Sequence, residues 1–467
     1  MPADMDHSPE PPTLPATVPP QTVTYAEACR VWLKIAALSF GGPTAQIAVM
    51  HRILVDEKRW ISEQRFLHAL NYCMLLPGPE AQQLAVYIGW LLHRVKGGLT
   101  AGILFILPGC VSILGLSIVY AVYQQTTTLQ SVFFGLKSAI IAIVIEAVLR
   151  ISKKALQNNV MILLAGLAFV AMFFFKIPFP LVIIAAGLIG WIGGRFSEQH
   201  FFVLKPQTKS ATETTVIPPA DRNVDDPYYR PSAWRALRVG VICLVLWFTP
   251  LLVCWQTFGA DSVYVQEGIF FSKMAVVTFG GAYSVLAYVA QQAVEVYGWL
   301  TAQEMLDGLG LAETTPGPLI MVVQFVGFLG AYRHPAPLSP IWGGVVASLL
   351  TTWVTFVPCF LYIFVGAPYI ESLRNNKSLS TALSSITAAV VGVVLNLAVW
   401  LALKTLFREV HDITWGPLHV LAPTWSSLNV PALVITLAAC VMTFKFHWHL
   451  FRTLLVCTIA GGVLYAL

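Results

Sequence analysis

The chain has 467 residues, of which 57% are hydrophobic and 11% charged, and a net charge of +5. A soluble domain averages about 25% charged residues, so there is too little polar surface here to cover a soluble globule. Apolar segments of about 20 residues recur, the length that crosses a bilayer as a helix, and the ten-residue alternating strands of a membrane barrel are absent.

The expected fold class is therefore all-α, a polytopic membrane protein whose first partner is the lipid bilayer. Basic residues sit between apolar runs, where topology rules put them, and form no aromatic-interleaved patch, so no nucleic-acid partner is expected. None of the eight cysteines forms a C-x-x-C pair, which leaves no zinc or redox motif. No phosphate-binding G-x-x-x-x-G-K-[ST] and no H-E-x-x-H occurs. Neither a cofactor nor an enzyme is expected.

In chain order, residues 1–23 are proline-rich and read as a disordered tail, without the apolar stretch of a cleavable signal. Residues 24–196 form a first membrane unit. In it Tyr25–Phe40 is apolar and breaks at Gly41-Gly42-Pro43, and a more polar helix follows from Thr44 to Lys58. Phe66–Leu76 breaks at Pro77-Gly78-Pro79 and resumes as Glu80–Leu92. Full spans are expected at Leu99–Tyr123, Ser131–Leu149, Val160–Phe175 and Leu181–Ile192. Residues 197–233 are rich in Ser, Thr, Pro and charge, the composition of a soluble linker. An extra helix at 234–257, apolar over Leu237–Trp255, leads to a second unit at 263–467. Its spans are expected at Ile341–Val365, Leu383–Leu406, Ala432–Phe444 and Leu450–Leu467.

The second unit repeats the first. Lys34 with Phe40-Gly41-Gly42 returns as Lys273 with Phe279-Gly280-Gly281, at an offset of 273 − 34 = 239 residues. The same offset carries Trp60 onto Trp299, Gln64 onto Gln303 and Pro77-Gly78-Pro79 onto Pro316-Gly317-Pro318. Lysine and arginine placement sets the orientation. Arg94 and Lys96, then Arg150, Lys153 and Lys154, then the linker bases all read as cytoplasmic, and Arg374 and Lys377 return there. Arg333, Lys404 and Arg408 would lie outside, fewer and against the trend. The extra helix then makes the two repeats inverted, a design in which substrate binds at broken helices near the midplane.

The breaks are the candidate site. Gly-Gly lets the backbone leave the helix, and a following proline opens the next one. Each helix start offers unpaired N–H groups and the positive end of a dipole, a natural seat for an anion. Glycine and proline are common in membrane helices, so the argument rests on four breaks at matched positions. Lys34 and Lys273, each seven residues before its glycine pair, share a helical face with it and are expected to supply charge, with snorkelling as the structural alternative. The expected substrate-binding residues are Lys34, Gly41, Gly42, Thr44, Gln46, Pro77 and Gly78. Their counterparts in the second half are Lys273, Gly280, Gly281, Tyr283, Ser284, Pro316 and Gly317. Gln82, Gln83 and Gln324 are further donors near the breaks. Glu80 reads as a helix-start acid, Glu146 as the partner of Arg150 one turn on, and Asp56-Glu57-Lys58-Arg59 as an interfacial cluster.

Phe40-Gly41-Gly42-Pro43, its copy Phe279-Gly280-Gly281-Ala282, the paired tryptophans and the two Pro-Gly-Pro motifs resemble the chromate ion transporter family in its two-repeat form. The resemblance runs from about Tyr25 to Leu467. It implies a secondary transporter in the inner membrane that exports chromate from the cytoplasm and confers chromate resistance, with repeats of opposite orientation. Sulfate is a chemically similar dianion. A carrier or channel for sulfate or another small oxyanion is the alternative, and assembly as a homodimer is left open. Ala282 stands where the first copy has Pro43, a departure that questions whether the two breaks are equivalent.

Overall fold

The computed structural model describes residues 23–197, 201, 218–222, 228, 231–369, 377–448 and 450–466. The expected tail and most of the expected linker lie outside the described residues. In the linker, the helical turn Pro219–Arg222 docks on the first repeat, where the Ala220 N–H donates to the Trp60 carbonyl at 3.0 Å.

The first repeat opens with α1 (Tyr25–Leu38), whose N-cap Thr24 accepts from the Glu27 N–H. After the Gly41-Gly42 break come α2 (Gly42–His51), a π-helical turn (Arg52–Glu57) and α3 (Glu63–Cys73). The Pro-Gly-Pro break precedes α4 (Glu80–Tyr123), followed by α5 (Thr127–Ala155), α6 (Asn159–Phe173) and α7 (Phe179–Phe196). α4 is bent sharply at His93 and Arg94, whose dihedrals leave the helical region (φ −137° and 53°). Its two arms fold against each other, and a side chain on Gly89 would begin 2.5 Å from the Gly97 carbonyl oxygen. The sequence gap between Leu92 and Leu99 is this turn.

The extra helix α8 (Ala233–Phe258) follows. It docks through Trp247, whose Nε1–H donates to Ser272 Oγ at 3.2 Å, and accepts the Trp353 Nε1–H at the Leu246 carbonyl at 2.8 Å. Cys243 and Cys254 are buried on the same helix, and most of its other apolar residues are exposed, as suits a helix facing lipid.

The second repeat reproduces the first in order: α9 (Val263–Val277), α10 (Ala282–Gln291), α11 (Ala302–Thr314), α12 (Val322–Arg333), α13 (Pro340–Gly366), α14 (Lys377–Leu406), α15 (Val430–Cys440) and α16 (Leu450–Ala466). The likeness extends to local detail. The Lys58 N–H to Ile53 carbonyl bond, 2.9 Å, returns as Tyr297 to Gln292, also 2.9 Å. Ser62 and Thr301 cap α3 and α11 at equivalent positions, and Trp60 and Trp299 are both buried.

The repeats interlock. α5 packs on α15 and α16 of the second repeat, while its counterpart α14 packs on α6 and α7 of the first. Ile113 and Tyr120 of α4 join the core around the second repeat, and Phe360 and Phe364 of α13 join the core around α1–α4. Small residues allow the close approach, as between membrane helices generally. A side chain on Gly392 of α14 would begin 2.0 Å from the Ala165 carbonyl oxygen, and one on Gly135 of α5 2.1 Å from that of Cys457. Reciprocal contacts of this kind are the mark of a two-fold relation.

Among the described residues, six helices are long and apolar enough to cross a membrane: Glu80–Tyr123, Thr127–Ala155, Phe179–Phe196, Ala233–Phe258, Pro340–Tyr369 and Ser378–Leu406. α6 was expected as a full span, but its 15 residues reach only about 22 Å at 1.5 Å per residue. Asn158 caps its start by accepting from the Met161 N–H.

Among the described residues, one hairpin departs from the all-helical expectation. Strands β1 (Val410–Trp415) and β2 (Leu418–Pro423) form an antiparallel hairpin pairing Trp415 with Leu418. Its tight turn holds Gly416 at φ 61°, the left-handed geometry that glycine tolerates. Lys176, between α6 and α7, donates to Asp412 at 2.6 Å and lies 3.7 Å from Glu295, and the His419 N–H donates to the Phe174 carbonyl at 2.7 Å. The Lys176 hydrogen bond and charge hold the Asp412 carboxyl below the usual carboxylate range. Partial burial works to lower the Lys176 ammonium, but its two acidic partners lift it above the ordinary lysine value.

Candidate functional site: the four-break layer

The four breaks meet and bond across the repeats. The Gly78 N–H donates to the Thr278 carbonyl at 2.7 Å, and the Gly317 N–H to the Ser39 carbonyl at 2.8 Å. Gly78 and Gly317 are equivalent positions, as are Ser39 and Thr278, so each Pro-Gly-Pro turn is tied to the Gly-Gly break of the other repeat. Each receiving hydroxyl residue is fixed in turn. Ser39 Oγ donates to the Ile35 carbonyl at 2.7 Å and Thr278 Oγ1 to the Met274 carbonyl at 2.6 Å.

The glycines are required by conformation. Gly41 and Gly42 lie at φ 80° and 79°, Gly280 and Gly281 at 75° and 91°, Gly78 at 119° and Gly317 at 100°. A β-carbon disfavours this region. Both glycine pairs keep positive φ despite the Pro43-to-Ala282 difference, and α10 begins at Ala282, one position later than α2, which begins at Gly42.

The helices that open at the breaks carry no side-chain cap. This holds for α2 after Gly41, for α10 after Gly281, for α4 after Pro79 and for the 3-10 turn Leu319–Met321 after Pro318. The contrast is with α3 and α11 of the same repeats, whose first N–H groups Ser62 and Thr301 take up. An uncapped helix start leaves N–H donors and the positive end of a dipole without a side-chain partner.

Amides crowd the layer. Gln46 Nε2–H donates to the Gly317 carbonyl at 2.6 Å, Gln83 Nε2–H to the Pro77 carbonyl at 2.6 Å, and Gln324 Nε2–H to the Cys110 carbonyl at 3.0 Å. Their Oε1 atoms, and both amide atoms of Gln82, are buried without a hydrogen-bond partner among the described residues. Unsatisfied polar atoms at this density are rare inside a folded chain. They mark a place where water or a ligand completes the bonding.

Tyr283 donates its hydroxyl proton to Glu313 Oε1 at 2.5 Å, and its oxygen lies 3.9 Å from where a side chain on Gly42 would begin. Glu80 Oε1 stands 3.7 Å from the corresponding point on Gly281. Ser284 spends its donor on the carbonyls of Phe279 (2.7 Å) and Gly281 (2.8 Å), which fixes the start of α10.

The structure thus brings together Gly41, Gly42, Gln46, Pro77, Gly78, Gly280, Gly281, Tyr283, Ser284, Pro316 and Gly317. Thr44 is exposed. The two lysines stand apart. Lys34 Nζ lies 3.3 Å from Glu57 Oε2, with side chains 55% and 44% exposed, and so joins the interfacial cluster of Arg52, Glu57 and Lys58. Lys273 is exposed and has no ion pair among the described residues. Neither lysine bonds to a break residue among the described residues. Glu146 and Arg150 pair with each other, as expected, and act on Tyr283 and Glu313 from α5. Sequence reasoning missed Ser39, Thr278 and Glu313. The signal was present in each case: a hydroxyl immediately before Phe-Gly-Gly in both copies, and an acid three residues before Pro316.

Among the described residues no group of histidine, cysteine and acidic side chains is arranged to hold a metal ion. The chromate transporter family model matches residues 26–191 and 265–465, one match to each repeat. The chain is 27% identical over 406 residues to a chromate transport protein of Cupriavidus metallidurans, covering 86% of this chain and 89% of that one. It is 32% identical over 383 residues to a chromate transport protein of Pseudomonas aeruginosa, covering 80% of each. An uncharacterised transporter of Bacillus subtilis is 27% identical over 156 residues, 33% of this chain but 88% of that protein, and so corresponds to about one repeat. No solved structure matches. Two family matches, two interlocked copies of one broken-helix unit and six membrane-length helices agree: this chain is a multi-pass membrane protein of the chromate transporter family.

Proposed function

We propose that this protein is a secondary transporter that exports chromate from the cytoplasm across the inner membrane and thereby confers chromate resistance. The observation that carries the reading is the convergence of four uncapped helix starts in one hydrogen-bonded layer. Chromate is a tetrahedral dianion with four acceptor oxygens. Backbone N–H groups at helix starts replace its hydration shell without any fixed cation, and broken backbone at membrane depth is tolerated where it lines such a site. The names of the relatives from Cupriavidus metallidurans and Pseudomonas aeruginosa support the substrate. An inside-negative potential drives anions outward by about 2.3 kcal/mol per charge per 100 mV, so export of a dianion needs no ATP. The two interlocked repeats are suited to rock about the layer and open it to each side in turn.

The layer reads shape and charge, so sulfate competes for it. The test is uptake of labelled chromate into everted vesicles, with the potential varied and sulfate as competitor. Saturable uptake that rises with an inside-positive potential is the expected result. Uptake indifferent to the potential and unchanged in Gly78 and Gly317 variants would remove the proposal.

A further inference from the structure

The break layer is two-fold in its backbone, but its ionisable side chains are not. Glu313 of α11 is 4% exposed. Its Oε1 accepts from the Tyr283 hydroxyl at 2.5 Å, while Oε2 is buried without a hydrogen-bond partner among the described residues. Through Tyr283 the carboxyl reaches the opening of α2 at Gly42. The equivalent positions of the first repeat hold Met74 for Glu313 and Thr44 for Tyr283. Glu313 therefore has no counterpart in the first repeat, just as Glu80, the other acid of the layer, has Leu319 in the second.

The ionisable groups facing Glu313 come from two elements. α10 supplies Tyr283, and α5 supplies Glu146 and Arg150, which are already paired with each other. Glu80, at the opening of α4, lies on the Gly281 side of the layer, and Lys154 of α5 is the cation acting on it. No cation forms an ion pair with Glu313 among the described residues. An ionised Glu313 beside a bound dianion would repel it across a water-poor layer. A neutral Glu313 would do the opposite. A proton on Oε2 turns the unpartnered acceptor into a donor, and an oxygen of the bound oxyanion is the acceptor it lacks.

Resting on the proposed oxyanion site, we infer that Glu313 is a proton site linked to it: when a tetrahedral dianion enters the break layer, one proton passes from water to Glu313 Oε2, and anion and proton cross together. The proton leaves when the anion does. The net charge moved per cycle is then one negative rather than two, so the potential still favours export, with half the electrical drive.

The test counts protons. Chromate is titrated into the purified full-length protein by calorimetry, in two buffers of different ionisation heat, at a pH where chromate is the dianion in solution. Sulfate is run in parallel. The wild type is expected to take up about one proton per anion, so its affinity falls about tenfold per pH unit once Glu313 is ionised in the empty site. Glu313→Gln should bind the anion with proton uptake near zero and a flat pH profile, and Glu313→Asp should restore uptake. Wild-type binding without proton uptake overturns the inference, and that measurement decides alone if Glu313→Gln does not fold. Uptake that survives in Glu313→Gln overturns it too. If neither anion binds the wild type, the oxyanion reading itself fails and takes this inference with it.

Discussion

The two repeats match in backbone and differ in side chains at the same level of the molecule. Both place Gly-Gly and Pro-Gly-Pro in left-handed conformations, and both donate one glycine N–H to the carbonyl before the other's Gly-Gly break. Yet Gln46 faces its position as Val285, Thr44 as Tyr283, Met74 as Glu313, and Glu80 as Leu319. Away from the breaks, Ala28 becomes Glu267, which is 0% exposed with both oxygens unpartnered among the described residues. Its bulk is accommodated by Gly327 and Gly330, where the first repeat has Ile88 and Leu91; a side chain on Gly330 would begin 2.3 Å from Glu267 Oε1. The lesson is a division of labour. The shared backbone supplies the N–H donors twice, and the second repeat alone adds the buried acids Glu267 and Glu313.

The largest expected effect tests the shared part. Gly78→Ala and Gly317→Ala should damage the layer equally. Both sit at positive φ, a strain of about 1–3 kcal/mol each for a residue with a β-carbon. The added carbon would stand 2.8 Å from Gln83 Nε2 and 2.9 Å from Cys359 Sγ in the first case, and 3.1 Å from Gly109 Cα in the second. Chromate uptake in vesicles should drop by on the order of tenfold or more in each. A strong loss in one and none in the other would break the symmetry of the account.

Gln46→Ala should rank next, because it strips the Gly317 carbonyl of its buried donor. Leaving a buried group unpaired costs about 1–3 kcal/mol, and the mirror change Val285→Ala should do less. Tyr283→Phe removes the hydroxyl that donates to Glu313 Oε1 and should lower uptake by about 3- to 10-fold. Thr44→Ala at the matching position should leave uptake unchanged.

The hairpin, present in the second repeat alone, gives a smaller effect that depends on pH. Asp412 is held below its ordinary range, first by the Lys176 hydrogen bond and then by charge. Its contribution is therefore present above the unfolded value near about 3.9 and is lost as pH falls through the folded value. Amide protection over residues 410–423, taken against the intrinsic exchange rate at each pH, should fall on acidification below about pH 4, and Lys176→Ala should lower it at neutral pH. The smallest effect belongs to the lysines. Exposed ion pairs are worth about 0–1 kcal/mol, so replacing Lys34 and Lys273 together by alanine should change uptake by less than about twofold. A collapse of transport in that double variant would return the charge to the helix faces.

Much of this was legible in the sequence because glycine is the residue that tolerates positive φ. Four breaks, their 239-residue spacing (273 − 34) and the matched tryptophans were readable for that reason. The reciprocal bonds were not, since nothing local in Ser39 or Gly317 says which distant partner it meets. The two lysines stand apart from the breaks for a physical reason. Seven residues share a face only along one continuous helix, and α1 ends at Leu38, before Gly41. Past that point the break redirects the chain. The hairpin hid because its alternation is short and two apolar residues of β1, Ile413 and Trp415, face water. Glu313 hid because an acid beside a Pro-Gly-Pro turn reads as an ordinary helix end.

The central claim is that the oxyanion sits on the backbone of the four breaks. The most direct measurement is an experimental structure of the protein with bound chromate. The account predicts anion density between the openings of α2 and α10, within hydrogen-bond reach of their first N–H groups and near Tyr283. Density seated instead on Lys34 or Lys273, with the break layer holding only water, would contradict it.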